Sequence, residues 1–150
     1  MNTQIPCRRG RRQGGNALIE FSLSAVVLFL FSCGVADFSR LVTLGRLADG
    51  AAMAGTQYAA LSPAHYNDLT GVHDAAIADT GNFTGATATV TQFCACSVGG
   101  THVTCPASCG NASPETYVQV IVTIPFQSMF NYPWLPNPIN VSSLSVVRVQ

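Results

Sequence analysis

From Ala17 to Ala36 the chain runs for twenty residues with a single formal charge, that of Glu20. As a helix rising about 1.5 Å per residue, such a run reaches roughly 30 Å, the thickness of a bilayer hydrocarbon core. Apolar regions of secretory signals are shorter, about 7–15 residues, so the run favours a spanning helix. A carboxylate one turn inside that segment is costly unless it has a partner, and therefore asks for a function. Only 9% of the 150 residues are charged and 48% are hydrophobic, against roughly 25% charged in an ordinary soluble domain. The remainder of the chain has room for one modest domain.

The flanks orient the segment. All seven basic residues are arginine, and Arg8, Arg9, Arg11 and Arg12 precede Gly15. Arginines ahead of an apolar run favour a cytoplasmic N-terminus, placing the C-terminal part outside the cytoplasm. Cys94, Cys96, Cys105 and Cys109 cluster in that part, where thiols can oxidise. Without residues 1–15, Arg40, Arg46 and Arg148 face seven acids, a net charge of −4. No basic patch would remain for a nucleic acid. The chain thus divides into a basic leader (1–15), a long helix (16–61) whose transmembrane part is 17–36, and an extracytoplasmic α+β domain (62–150).

Helical periodicity continues past the apolar run. Phe38, Leu41, Leu44, Leu47 and Ala48 recur at three- and four-residue steps between Asp37, Arg40, Arg46 and Asp49. The Ala- and Gly-rich stretch 50–60 lets helices approach closely, through pairs such as Gly50/Ala54 and Gly55/Ala59. That packing surface serves either the chain's own domain or another copy. Interior glycines cost about 1 kcal/mol each relative to alanine, which predicts bending or fraying there. Ser62-Pro63 predicts a stop and a restart, with a second helix to about Asp79 closed by Thr80-Gly81-Asn82. Strand alternation follows over 86–94, 117–124 and 141–149. It is cleanest where Val118, Val120, Val122 and Ile124 share a face, with Ile121 an exception. The expected fold is α+β: a long N-terminal helix, a short second helix and an antiparallel sheet of about three strands, one face of which the long helix covers. Residues 125–140 hold four prolines with Phe126, Phe130, Tyr132 and Trp134, and predict a loop with aromatic anchors.

The four late cysteines suit either a disulfide pair or a zinc site with His102. A Cys94–Cys96 bond would be strained, so the disulfide reading predicts two cross-links from the 94/96 side to the 105/109 side. The oxidising compartment favours that reading. His65 and His73 fall on roughly one face of the predicted second helix, near Asp68 and Asp74. Nothing resembles HExxH or a nucleophile elbow, and a solvated helix face accounts for them. No catalytic residue, metal or cofactor is expected. Leu30-Phe31-Ser32-Cys33 resembles a lipobox, and a cut after Gly34-Val35-Ala36 would release a secreted module. Either alternative would sacrifice the helix that carries Glu20.

Two motifs carry a family resemblance. The basic leader, Gly15, Glu20 five residues later and Phe21 beside it resemble the class III signal of type IV pilins and pseudopilins. Gly34-Val35-Ala36-Asp37-Phe38-Ser39-Arg40, closing the apolar run, resembles the membrane-helix end element of TadE-like proteins, minor pilins or pseudopilins of the tight-adherence (Flp pilus) system. The acidic-aromatic-x-Arg part of that element falls on Asp37, Phe38 and Arg40. The family often has a proline where Val26 stands, which implies a straighter membrane helix here. The resemblance implies a pilin-like fold and a non-enzymatic structural role. A prepilin peptidase would cut after Gly15, exposing the α-amino group of Asn16. Glu20 and Phe21 would serve subunit assembly. Other pilin subunits and minor pilins, and the inner-membrane assembly platform, would be partners. The protein would sit first in the bacterial inner membrane, then on the cell surface.

Overall fold

The computed structural model describes residues 14–96, 100–106, 108–109, 113–130 and 133–149. The arginines of the leader, Cys7 and Tyr132 lie outside the described residues. The element order is α1 (Gly14–Ala60), α2 (Pro63–Asn67), α3 (Leu69–Asp79), β1 (Thr87–Ala95), β2 (Glu115–Phe126) and β3 (Ile139–Arg148). The chain separates into two compact units, residues 1–37 and 38–150. The first holds the apolar part of α1.

In the second unit the three strands form an antiparallel sheet in the order β1-β2-β3. β2 is central: Val120 pairs with Val90 on one side and with Ser145 on the other. The alternation of valines is realised in full, since Val118, Val120, Val122 and Ile124 are completely buried. Burying each such side chain contributes about 1.5–3 kcal/mol. Ala48, Ala51, Ala52 and Ala59 of α1, with Val72 and Ala76 of α3, complete this core. The Ala/Gly stretch of the long helix therefore packs on the chain's own sheet. Gly55 is where that approach is closest. A methyl group placed there would come within 3.1 Å of the Ala76 Cβ and 3.2 Å of a Val120 methyl. Close packing explains why the glycines neither break nor fray α1, which runs without interruption.

Two polar links also fasten α1 to the edge strand β3. The Thr56 and Ser145 hydroxyls are 3.0 Å apart, and the Ser143 hydroxyl donates to the Asp49 carboxylate.

Two expectations are corrected. The predicted second helix, from Pro63 to Asp79, is two helices. Asp68 leaves helical geometry at φ −91°, ψ 75° and accepts a hydrogen bond on its side chain from the Gly71 backbone N–H. It ends α2 and caps α3 at once, the ordinary preference of aspartate for an N-cap. Pro63 does start α2, and the Ser62 hydroxyl pairs with His65 Nδ1 at 2.6 Å rather than capping a backbone donor. The predicted aromatic loop is also shorter than 125–140, because β2 continues through Pro125 and Phe126, and β3 begins at Ile139. β1 starts opposite Thr123, so Pro125 pairs only with β3 and proline is tolerated there as on an edge strand. Phe126 is buried in the core at 3% exposure, while Trp134 is 86% exposed and anchors nothing within the domain.

Candidate functional site

The sequence directs attention to the first half of α1, and the local chemistry suits an apolar phase. Every residue from Asn16 to Ser32 is exposed. The exposed side chains include Leu18, Ile19, Phe21, Leu23, Phe29 and Phe31, each between 66% and 73% accessible. Two hydroxyls in this stretch are satisfied by their own helix: Ser22 donates to the Ile19 carbonyl and Ser32 to the Leu28 carbonyl, both at 2.8 Å. Such back-bonding removes the cost of placing a hydroxyl in hydrocarbon. The helix is long and apolar enough to cross a membrane.

The processing and assembly candidates lie at its start. Gly15 and Asn16 are in the first turn of α1, and Glu20 and Phe21 follow one turn later. Asn16, Glu20 and Phe21 are all exposed. Glu20 thus stands on the same open surface as the apolar side chains around it. At the far end, Asp37 is 6% exposed and Phe38 is 66% exposed. The Arg40 guanidinium lies 5.7 Å above the centre of the Phe126 ring, a cation–π contact. Cys33 is half-exposed and not disulfide-bonded.

The late cysteines form two disulfides, Cys94–Cys105 and Cys96–Cys109, each with a Cα–Cα distance of 5.3 Å. Sulfurs joined in this way are not zinc ligands. His102 instead stacks on Phe93, with ring centres 3.9 Å apart, and Phe93 stacks on Tyr117. Cys94 also exchanges backbone hydrogen bonds of 2.8 Å with Val103, tying the loop to the end of β1. The cross-links close loops spanning 11 and 13 residues and contribute about 2–4 kcal/mol each.

The histidines do not converge. His65 belongs to α2 and packs edge-on against Tyr58, whereas His73 belongs to α3 and pairs with Asp74 at 3.0 Å. Among the described residues no group of three histidine, cysteine or acidic side chains could hold a metal ion. A cleft of about 530 Å³ is lined by Tyr66, Asn67, Gln92, Thr116 and the Cys94–Cys105 bridge, without a carboxylate or histidine.

Two tyrosines hold their protons more tightly than usual. Tyr117 donates to the Glu115 carboxylate, which raises its pKa first through that hydrogen bond, then through burial and the carboxylate's charge, against a lowering by Arg148. Arg148 pairs with the other oxygen of Glu115 at 3.0 Å. Tyr58 is raised by burial first and by the nearby Asp68 carboxylate second.

Sequence reasoning missed the exposure of the loop after Phe126, where Met129, Phe130, Trp134 and Leu135 all face out. The signal for it was present: no charged residue occurs between Glu115 and Arg148. Comparison with known protein families, with curated proteins and with solved structures finds no match to this chain.

Proposed function

We propose that the protein is a structural minor pilin or pseudopilin, TadE-like in character, of a tight-adherence type IV pilus. The observation that carries the reading is the surface of α1. One continuous helix carries Gly15, Glu20 and an apolar run exposed from Asn16 to Ser32, then becomes the cover of a small disulfide-bonded sheet domain. A surface of that kind is stable when lipid or the helices of other subunits surround it.

In this reading a prepilin peptidase cuts after Gly15 and leaves an α-amino group on Asn16. Such amines ordinarily titrate near pH 7.7–8.0, so this one is mostly protonated at neutral pH. The subunit waits in the bacterial inner membrane, held by residues 17–36, with its disulfide-bonded domain outside the cytoplasm. On assembly the helix leaves lipid for a bundle of pilin helices. There the Glu20 carboxylate pairs with the N-terminal amine of a neighbouring subunit. In a medium of low dielectric the attraction offsets much of the cost of burying both charges and sets the axial register. The protein has no catalytic role in this scheme and uses no cofactor.

The reading is tested by the intact mass and N-terminal sequence of protein purified from its native membrane. A start at Asn16 supports it, whereas a lipid on Cys33 or a start at Asp37 rejects it in favour of a lipoprotein or a secreted module. The assembly role has its own test. Glu20→Ala is expected to leave membrane insertion intact and to abolish incorporation into pili, and unchanged piliation would remove Glu20 from the mechanism.

A further inference from the structure

The outer edge of β1 is unpaired over most of its length. Cys94 directs both its N–H and its C=O to Val103, on the side away from β2. Residues of an antiparallel strand alternate in the side to which they direct these groups. Ala88, Val90 and Gln92 therefore present theirs on the same outer side as Cys94. Thr116, opposite Cys94 on β2, gives the same phase, because its carbonyl accepts from Val149 on the side of β3. Among the described residues, no backbone hydrogen bond reaches the outer groups of Ala88, Val90 or Gln92. Charges, prolines and bulges usually blunt such an edge, and β1 carries none of them between Thr87 and Ala95. Val103 thus begins a fourth-strand position, antiparallel to β1, and leaves it open from Gln92 to Ala88. That is about 14 Å of strand.

Two cavities follow one another along this edge and give it a wall. The first, about 250 Å³, lies between Val90 and the α3 residues Leu69, Thr70 and His73. The second, about 530 Å³, lies among Gln92, the Cys94–Cys105 bridge, Thr116 and the Tyr66–Asn67 end of α2. A row of strand-edge donors and acceptors is matched by another extended backbone, which adds itself to the sheet. The walls select its side chains by charge. Neither cavity is lined by a lysine, arginine, aspartate or glutamate. The one histidine, His73, already pairs with Asp74 at 3.0 Å. A charged side chain entering here would lose water without gaining a counter-ion. Residues directly opposite in an antiparallel pair point to the same face. The residue opposite Val90 therefore faces the Leu69 cavity and suits an apolar side chain. The residue opposite Gln92 faces the Asn67 and Thr116 cavity and suits an uncharged polar one. The chain's own leader, with Arg8, Arg9, Arg11 and Arg12, does not meet that requirement.

We propose that the groove between β1 and the helices α2 and α3 binds an extended, uncharged segment of a partner protein, which pairs antiparallel with Ala88, Val90 and Gln92 as a fourth strand. The site lies wholly within the sheet domain. It does not depend on residues 17–36 spanning a membrane, nor on processing at Gly15.

The probe is a capped, fluorescein-labelled peptide of sequence threonine-glutamine-threonine-valine-threonine-alanine-threonine. Run antiparallel to β1, it sets its glutamine against Gln92 and its valine against Val90. Binding to the full chain in detergent micelles is followed by fluorescence anisotropy, and saturable binding is expected. The same peptide methylated on the amide nitrogens of its glutamine, valine and alanine should bind about tenfold more weakly or worse, as the loss of backbone hydrogen bonds requires. A peptide with lysine in place of its valine should be weakened to a similar degree. Val90→Pro removes one outward N–H and leaves the bonds between β1 and β2 in place, so it should weaken binding of the parent peptide. Thr70→Trp alters an exposed residue of α3 and should fill the groove with no fall in melting temperature. Should Val90→Pro fail to fold, Thr70→Trp and the methylated peptide decide. Absence of saturable binding, equal binding of the methylated peptide, or undiminished binding to Thr70→Trp overturns the proposal. A dimer in sedimentation that excludes the peptide and is abolished by Thr70→Trp overturns the partner segment in favour of a second copy of this chain.

Discussion

The two halves of α1 use apolar residues in opposite ways. Before Asp37 the large side chains point outwards, with Phe21 73% and Phe31 71% exposed. After it the small ones point inwards, and Ala48, Ala51, Ala52 and Ala59 are fully buried. The first half is bulky and exposed from Asn16 to Ser32. The second half is lean because a sheet lies against it, and alanine and glycine let the two backbones approach. Composition alone makes both halves apolar. Residue size separates the exposed half from the half that packs on the sheet.

Substitutions that damage one half without touching the other give the sharpest test of that division. Leu28 lies near the middle of the apolar run and is 65% exposed. Leu28→Arg should cost about 2.5–3.5 kcal/mol of membrane insertion, the usual figure for arginine at the centre of a spanning helix. The readout is the share of protein resisting alkaline extraction from membranes. The melting temperature of the sheet domain should not move. If that melting temperature fell as well, the two halves of the helix would be energetically one unit and the division would fail.

The converse substitution lies at Gly55, where a Cβ would meet Ala76, Val120 and the Val72 carbonyl at 3.1–3.2 Å. Two of those three contacts belong to the rigid helix α3, so a larger side chain cannot be accommodated by rotating a neighbour. Gly55→Val should destabilise the sheet domain by about 1–3 kcal/mol, as overpacking in a close-packed core does. Its helix propensity offers no compensation, since valine is a poor helix former. Thermal or denaturant unfolding of the sheet domain measures the loss, and membrane extraction should be unchanged.

Much of this arrangement was legible in the sequence, and the parts that were not have physical reasons. The valine alternation of β2 marked the core face because a strand's side-chain period is two and the sheet is covered on one side. The long helix followed from its unbroken apolar periodicity. The split at Asp68 was hidden because periodicity persists on both sides. The warning was the residue itself, an aspartate three residues before Gly71, where an N-cap would stand. Pro125 misplaced the end of β2, since a proline reads as a break unless one knows that β1 begins only opposite Thr123 and leaves Pro125 unpaired on that side. The pairing of Cys94 with Cys105 and of Cys96 with Cys109 could not be chosen from spacing, because both cross-pairings close loops of similar length. At the candidate site, Gly15, Glu20 and the apolar run were readable as a pattern. A partner for Glu20 was not, because its side chain is exposed among the described residues.

The smallest expected effect concerns pH and again belongs to the sheet domain alone. The phenols of Tyr117 and Tyr58 are raised above their ordinary value near 10, Tyr117 chiefly by its bond to Glu115 and Tyr58 chiefly by burial. Folding therefore favours the protonated phenol. The resulting stabilisation is complete below pH 10 and is lost as pH rises through the folded-state values, because the unfolded chain gives up those protons first. Melting temperature recorded at successive alkaline pH values should fall above pH 10, and the fall should be shallower in Tyr117→Phe, which retains the ring stacked on Phe93 and loses the titrating group. A fall of equal steepness in that variant would mean that the Glu115–Tyr117 bond contributes nothing to the alkaline limb, leaving Tyr58 and its Asp68 neighbour as the group that responds. Membrane extraction at neutral pH should be the same for Tyr117→Phe and the parent chain, since Tyr117 belongs to the half of the molecule that supplies its own partners.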